Sequence, residues 1–164
     1  MRQRTIMVLA ALAVAAAPPA GAQGVRMERN LSLDLARAIG ETALETCRKN
    51  GFHVSVTVLD RAGQVRLALR DDDARPHTME NSQRKAYTAR TFGVPSAEFA
   101  ARVPNEPARA AQATLTGVIA LAGGMPIKVG DDIIGAVGVS GSPGGDKDEA
   151  CARAGIEKVA EQLK

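Results

Sequence analysis

Aromatic side chains are scarce in this sequence, which has no Trp, one Tyr and three Phe among 164 residues. Surfaces that bind nucleic acids combine clustered Lys and Arg with interleaved aromatic side chains. The formal net charge is only +3. Arg2 and Arg4 supply two of these charges and residues 1–22 contain no acid, so the rest of the chain has a net charge of +1. The composition therefore indicates no nucleic-acid partner.

The sequence also lacks the common catalytic and metal-binding motifs. It has no nucleophilic Ser motif, no His pair at i+4 and no P-loop, and the spacing of its two cysteines fits no zinc pattern. The Asp run at 71–73 lacks the spacing of a calcium-binding loop and is predicted to be solvated. Only His53 and His77 offer an imidazole. These absences favour a binding protein over an enzyme.

The N-terminus has the pattern of a secretory signal peptide. Arg2 and Arg4 precede an apolar run over residues 6–17, two prolines follow, and the small residues 20–22 form a cleavage site. The apolar run is shorter than the roughly 20 residues that span a bilayer, which argues against a retained anchor. The sequence predicts cleavage before Gln23, a periplasmic or secreted location and no stable membrane insertion of the mature chain.

The remaining residues are predicted to form a short leader, 23–30, and one domain, 31–164. Hydrophobic periodicity predicts helices over 33–49, 77–92, 96–102 and 146–163, and strands over 52–60, 64–70, 125–129 and 133–140. The apolar segment 115–121 is a candidate fifth strand, although its Ala and Leu content leaves a helix open. Short connections predict a five-stranded antiparallel sheet flanked by helices, a three-layer α/β/α domain.

Two segments resemble a known family. One is Arg-Lys-Ala-Tyr-Thr-Ala at 84–89 with the Phe-Gly and Pro-Ser pairs that follow, and the other is the glycine-rich stretch from 123 through 141 to 149. Together they resemble the GlcG/HbpS family, which includes the C-terminal domain of PduO-type proteins, over residues 31–164. The resemblance implies a profilin-like fold, a homo-oligomer, haem binding, and a sensor or uptake protein as partner.

The haem that this resemblance implies needs an axial ligand and groups for its propionates. His77 ends an irregular loop before the second predicted helix, so it is the predicted iron ligand, with a surface histidine as the alternative. His53 lies in a strand and is either exposed or packed under a helix. Arg84 and Lys85 are predicted to face the propionates. Tyr87 is the alternative oxygen ligand, unless it is a packed residue.

Glycines dominate the second of the resembling segments. Gly135, Gly138 and Gly141 leave one side of the last strand nearly bare, so a flat ligand or another backbone can approach it. The pair Gly144 and Gly145 opens onto a helix N-terminus that would suit an anion. The alternative is that these glycines only make turns and pack helices.

The resembled fold places the first and last helices side by side on one face of the sheet. That arrangement would bring Cys47 near Cys151, and an exported chain meets an oxidising compartment, so the resemblance implies a disulfide bond. Two buried free thiols remain the alternative.

The combined features predict an exported haem- or tetrapyrrole-binding protein with a role in sensing, storage or scavenging. Two alternatives stay open. One is an accessory protein or enzyme for a small 2-hydroxy or 2-oxo acid, suggested by family members encoded beside glycolate oxidation genes, with Arg84 and Lys85 holding the carboxylate. The other is a structural homo-oligomer with no dedicated ligand.

Overall fold

The computed structural model describes residues 24–164, so the predicted signal peptide lies outside the described part of the chain. Four strands and five helices follow one another as α1 (Leu33–Lys49), β1 (Ser55–Asp60), β2 (Val65–Arg70), α2 (Thr78–Phe92), α3 (Ser96–Arg102), α4 (Pro107–Gln112), β3 (Gly124–Val129), β4 (Asp132–Ser140) and α5 (Gly145–Lys158), with a 3₁₀ turn over Ala160–Leu163. Within this part of the chain, no helix is both long and apolar enough to cross a membrane.

The described strands form one antiparallel sheet in the order β2-β1-β4-β3. The prediction of a fifth strand over 115–121 is wrong, because this segment is an irregular connection between α4 and β3. Side chains of α2, and not a neighbouring strand, form hydrogen bonds with the backbone of segment 115–121. The Thr88 hydroxyl accepts the N–H of Ile119 at 2.9 Å, and Arg84 Nη2 donates to Val118 O at 2.8 Å.

The main hydrophobic core lies between the sheet and the pair α1 and α5. Alternate residues of the two central strands, among them Val56, Val58 and Val137, are fully buried there with Ile39 and Ala43 of α1. This alternation of buried side chains is the pattern that predicted the first hairpin from the sequence. The helices α1 and α5 pack so closely at Gly155 that no side chain fits between them. A Cβ atom at this position would lie only 2.4 Å from Ile39 O.

The opposite face of the sheet packs against α2 through small and hydroxyl-bearing residues. The hydroxyls of Ser55 and Thr78 lie 2.7 Å apart in a buried hydrogen bond, and those of Thr57 and Ser82 form a second one at 2.7 Å. A Cβ atom at Gly138 would lie 2.0 Å from Ser82 O. The backbone of α2 therefore covers β4 at Gly138, which is the helix-packing alternative for this glycine. Cβ atoms at Gly135 and Gly141 would instead meet Leu59 O and His53 O, so the prediction that the three glycines leave one side of the strand bare is wrong.

A disulfide bond joins the two cysteines in the structure. Cys47 lies in the last turns of α1 and Cys151 in α5, with their Cα atoms 5.6 Å apart and both side chains buried. This separation is within the range that a disulfide requires.

Asp71, which directly follows β2, binds Arg48 of α1 and lies beside His53 in the segment before β1. Its carboxylate accepts bonds from Arg48 Nη2 at 2.8 Å and Nε at 3.1 Å, and His53 Nδ1 lies 3.3 Å away. The Arg48 hydrogen bond is the main reason that the pKa of Asp71 falls from 3.8 to about 2. The prediction of a solvated loop is therefore wrong for Asp71, which is buried, although Asp72 and Asp73 are exposed.

The Asp71 cluster should make stability depend on acid pH. The folded-state pKa lies below the unfolded one, so the stabilisation is present above about pH 5 and is lost as the pH falls through the folded value of about 2. Asp71→Asn is expected to lower the free energy of unfolding by about 1 kcal/mol at pH 7, since Arg48 is half-exposed. Urea denaturation between pH 7 and 2 measures this, with Asp73→Asn as control. A loss that persists undiminished at pH 2 would contradict it.

Candidate functional site

The helix α2 separates two surface hollows, and the four predicted ligand-binding residues are divided between them. Arg84 and Tyr87 line the larger one, while His77 and Lys85 line the smaller. Arg84 and Tyr87 are three residues apart and share a face of the helix, whereas Lys85 is rotated by about 100° from Arg84. The structure therefore does not bring the predicted set together.

The larger hollow, called here the Tyr87 hollow, has a volume of about 790 Å³. Its walls are the turn between β1 and β2, one face of α2, and the segment that follows α4. The lining residues are 63–65, Glu80, Gln83, Arg84, Tyr87 and 113–117. Val65 and Leu115 are each about half exposed, so the hollow presents apolar surface as well as polar groups.

Tyr87 lies between two glycines on opposite walls of its hollow. A Cβ atom at Gly63 would lie 3.4 Å from Cε2 of the Tyr87 ring, and one at Gly117 would lie 3.1 Å from Cδ1 on the other edge. Both glycines have positive φ, 78° and 84°, which other residues rarely adopt. The backbone thus comes close to the ring from both sides and leaves Tyr87 36% exposed.

Arg84 enters the same hollow with part of its hydrogen-bonding capacity unused. Its Nη1 lies 3.3 Å from Glu80 Oε1, and its Nη2 donates to Val118 O at 2.8 Å. Arg84 Nε is the one buried side-chain nitrogen or oxygen without a partner among the residues that the structure describes. The sequence placed Arg84 near a ligand but could not show this free donor.

Lys85 is buried and forms a salt bridge with an acidic side chain. Its Nζ lies 2.7 Å from Asp148 Oδ2 and donates to Val139 O at 3.1 Å, and both charged side chains are only 4% exposed. The other oxygen of Asp148 accepts the N–H of Ser142 at 2.9 Å. The expectation that Lys85 faces a propionate is therefore wrong, because this ammonium ties α2 to α5.

His77 lies at the mouth of the second hollow, called here the His77 hollow, which has a volume of about 340 Å³. It is exposed at the N-cap of α2 and makes no capping hydrogen bond through its side chain. The loop residue Gly144 and Gly145 at the start of α5 also line this hollow. Asp148, in the first turn of α5, already accepts a loop N–H, which fits the alternative that these glycines serve the turn.

These features define the class of protein as a small three-layer α/β/α domain with an antiparallel sheet and a ligand-sized hollow beside its central helix. Residues 31–157 match the family model described as "Haem degrading protein HbpS-like". The chain belongs to this HbpS-like family, and the family predicted from the sequence is confirmed.

Individual relatives agree with this membership. Protein GlcG of Escherichia coli strain K12 is 37% identical over 110 residues, which are 67% of this chain and 81% of that protein. The crystal structure of a double mutant of Streptomyces reticuli HbpS is 38% identical with a TM-score of 0.79, covering 87% of this chain and 97% of that one. The PduOC:haem complex, 24% identical with a TM-score of 0.73 over 79% and 95% of the two chains, shares the fold.

Proposed function

We propose that this chain is an exported haem- or tetrapyrrole-binding protein and that the Tyr87 hollow is its binding site. The observation that carries the proposal is the hollow itself, which combines a volume of about 790 Å³ with an exposed tyrosine held between two glycines. Ligand sites of proteins commonly have volumes of roughly 300–1,000 Å³. The walls of this hollow mix polar and apolar residues. Val65 and Leu115 supply apolar surface beside the Tyr87 ring.

The residues of this hollow fit a haem group. A tyrosine oxygen is an established axial ligand of haem iron, and Tyr87 is exposed in the hollow. Arg84 is partly exposed on the same face of α2 and has more terminal N–H groups than the two acceptors they find, which suits a carboxylate. Bound haem would supply an iron that can bind small molecules or change oxidation state. The family description and the haem complex of the structural relative support this choice of ligand.

The geometry favours Tyr87 over His77 as the iron ligand. The His77 hollow has less than half the volume of the Tyr87 hollow, and the buried pair of Lys85 and Asp148 lies among its lining residues. A large apolar macrocycle would gain less from burial there. His77 remains the competing ligand predicted from the sequence, and the experiment below separates the two.

Export, assembly and biological role complete the proposal. The charged and apolar residues before the small residues 20–22 support a cleaved signal peptide, and a disulfide bond is typical of oxidising compartments. A periplasmic or secreted location is therefore proposed. Assembly into a homo-oligomer and a role in sensing, storage or scavenging are proposed because the chain belongs to the HbpS-like family. A small 2-hydroxy or 2-oxo acid is the second candidate ligand, favoured by the unused terminal N–H groups of Arg84 in the hollow.

Hemin titration of the mature protein tests the ligand. The full chain is expressed with its own N-terminus and recovered from the periplasmic fraction, where mass spectrometry should find a chain beginning at Gln23. Hemin is expected to give a shifted Soret band, and Tyr87→Phe should shift that band and weaken binding by about tenfold, because the iron loses its oxygen ligand. His77→Ala should leave the spectrum nearly unchanged.

The possible outcomes have distinct meanings. Loss of the band in His77→Ala but not in Tyr87→Phe would move the iron to the His77 hollow. A flat hemin titration of the wild-type protein would overturn the haem proposal. Heat release on titration with glycolate, in the absence of hemin binding, would support the second candidate.

A further inference from the structure

We infer that Arg84 makes the Tyr87 hollow selective for ligands that carry a free carboxylate, and this inference rests on the proposed function. Arg84 has more hydrogen-bond donors than acceptors around it. Its guanidinium carries five N–H groups, and its acceptors are Glu80 Oε1 and Val118 O. Its Nε is buried and out of reach of a ligand in the hollow. The terminal nitrogens Nη1 and Nη2 carry four N–H groups between them, and these two acceptors use only two of them, which leaves two for a ligand carboxylate.

The guanidinium of Arg84 is held in a defined orientation. The bond from Nη2 to Val118 O, at 2.8 Å, anchors one end of the guanidinium to the segment that follows α4. The side chain is still 36% exposed and lines the hollow one helical turn before Tyr87. A planar guanidinium held in this way matches the geometry of a carboxylate through two parallel hydrogen bonds.

The charged residues of the hollow are few and weakly paired. Among its lining residues, Arg84 is the one base and Glu80 the one acid. Their contact is long, 3.3 Å, and Glu80 is 73% exposed. Exposed i,i+4 pairs of this kind are weak, so a ligand carboxylate can replace Glu80 at little cost. Glu80 then acts against binding, because it places a like charge beside the ligand.

The position of Arg84 sets the expected orientation of a ligand in the site. Its carboxylate meets Arg84, and its apolar body lies along Tyr87 and Leu115. A ligand of the same shape whose carboxylates are esterified loses the charged contact but keeps the apolar one. Selectivity between the free acid and the ester is therefore the signature of Arg84.

The test compares hemin with hemin dimethyl ester at the same low concentration of co-solvent. Wild-type protein is expected to bind hemin about tenfold more tightly than the ester. Arg84→Gln should abolish this preference by lowering hemin affinity about tenfold more than ester affinity, and Arg84→Lys, which keeps the charge but not the planar fork, should restore part of it. Glu80→Gln should tighten hemin binding several-fold without affecting the ester.

The matched control is Arg37→Gln on α1. Arg37 forms the same type of exposed i,i+4 pair with Glu41, also at 3.3 Å, but outside the hollow, so this variant should behave as wild type. Equal affinity of the wild type for hemin and ester, or an equal loss of both in Arg84→Gln, would overturn the inference while the haem proposal stands. Failure of both probes to bind the wild type would overturn the haem proposal and this inference with it.

Discussion

Asp148→Ala is expected to lower the free energy of unfolding by about 3 to 5 kcal/mol, because it leaves the buried ammonium of Lys85 without its carboxylate partner. Lys85 Nζ lies 2.7 Å from Asp148 Oδ2 where both side chains are 4% exposed, so the substitution removes the counter-charge of a nearly buried ammonium. The same substitution removes the acceptor of the Ser142 N–H, which belongs to the loop before α5. Urea denaturation at pH 7, followed by circular dichroism, measures the loss.

Two further variants separate the charge effect from the loss of packing. Asp148→Leu combined with Lys85→Met removes both charges and should recover a large part of the stability, because no buried ion is left unpaired. Glu149→Ala, in the same turn of α5, breaks only a pair with the exposed Arg153 and should cost less than about 1 kcal/mol. An Asp148→Ala protein as stable as the Glu149→Ala protein would contradict the assignment.

Removal of the disulfide is the second change with a large expected effect. The double substitution Cys47→Ala and Cys151→Ala should lower the free energy of unfolding by about 2 to 5 kcal/mol, because the bridge closes a long loop in the unfolded chain. Urea denaturation of the double variant and of wild-type protein with reducing agent should give similar midpoints. An unchanged midpoint in both would show that the bridge contributes nothing to stability.

The state of the cysteines is measured separately by counting thiols on the unfolded, unreduced mature protein. No free thiol, together with a monomer on a denaturing non-reducing gel, is the result expected from the bond between Cys47 and Cys151. Two free thiols per chain would contradict it and would favour the alternative of buried apolar cysteines.

The elements with strong local signals agree between sequence and structure. The predicted helix 33–49 has the bounds of α1, where the Ser32 hydroxyl accepts the N–H of Leu35 at 3.2 Å and caps the helix. The hairpins follow from alternating residues and short turns. The helix α4 was missed, although Pro107 in its first turn is typical of a helix start. Segment 115–121 was misassigned because its partners on α2 are distant in sequence.

The candidate site was harder to predict than the fold, for two physical reasons. Neighbouring residues on a helix point in different directions, so Arg84 and Lys85 could not both face one ligand. The helical period of α2 contained this information, since its buried residues Ser82, Lys85 and Ala89 repeat at intervals of three and four. The walls at 63–65 and 113–117 come from distant parts of the chain, and no local pattern identifies them.

The bridge between α1 and α5 also has a topological consequence for the binding site. The chain from Cys47 to Cys151 is a covalent ring, and every wall of the Tyr87 hollow belongs to it. A protease that cuts once in the exposed residues 114–116 opens this ring but releases no fragment. The two halves, β1 with β2 and β3 with β4, stay linked through the sulfur atoms as well as through the sheet. The two parts of the nicked protein would separate only when a reductant breaks the disulfide and a denaturant breaks the pairing of β1 with β4.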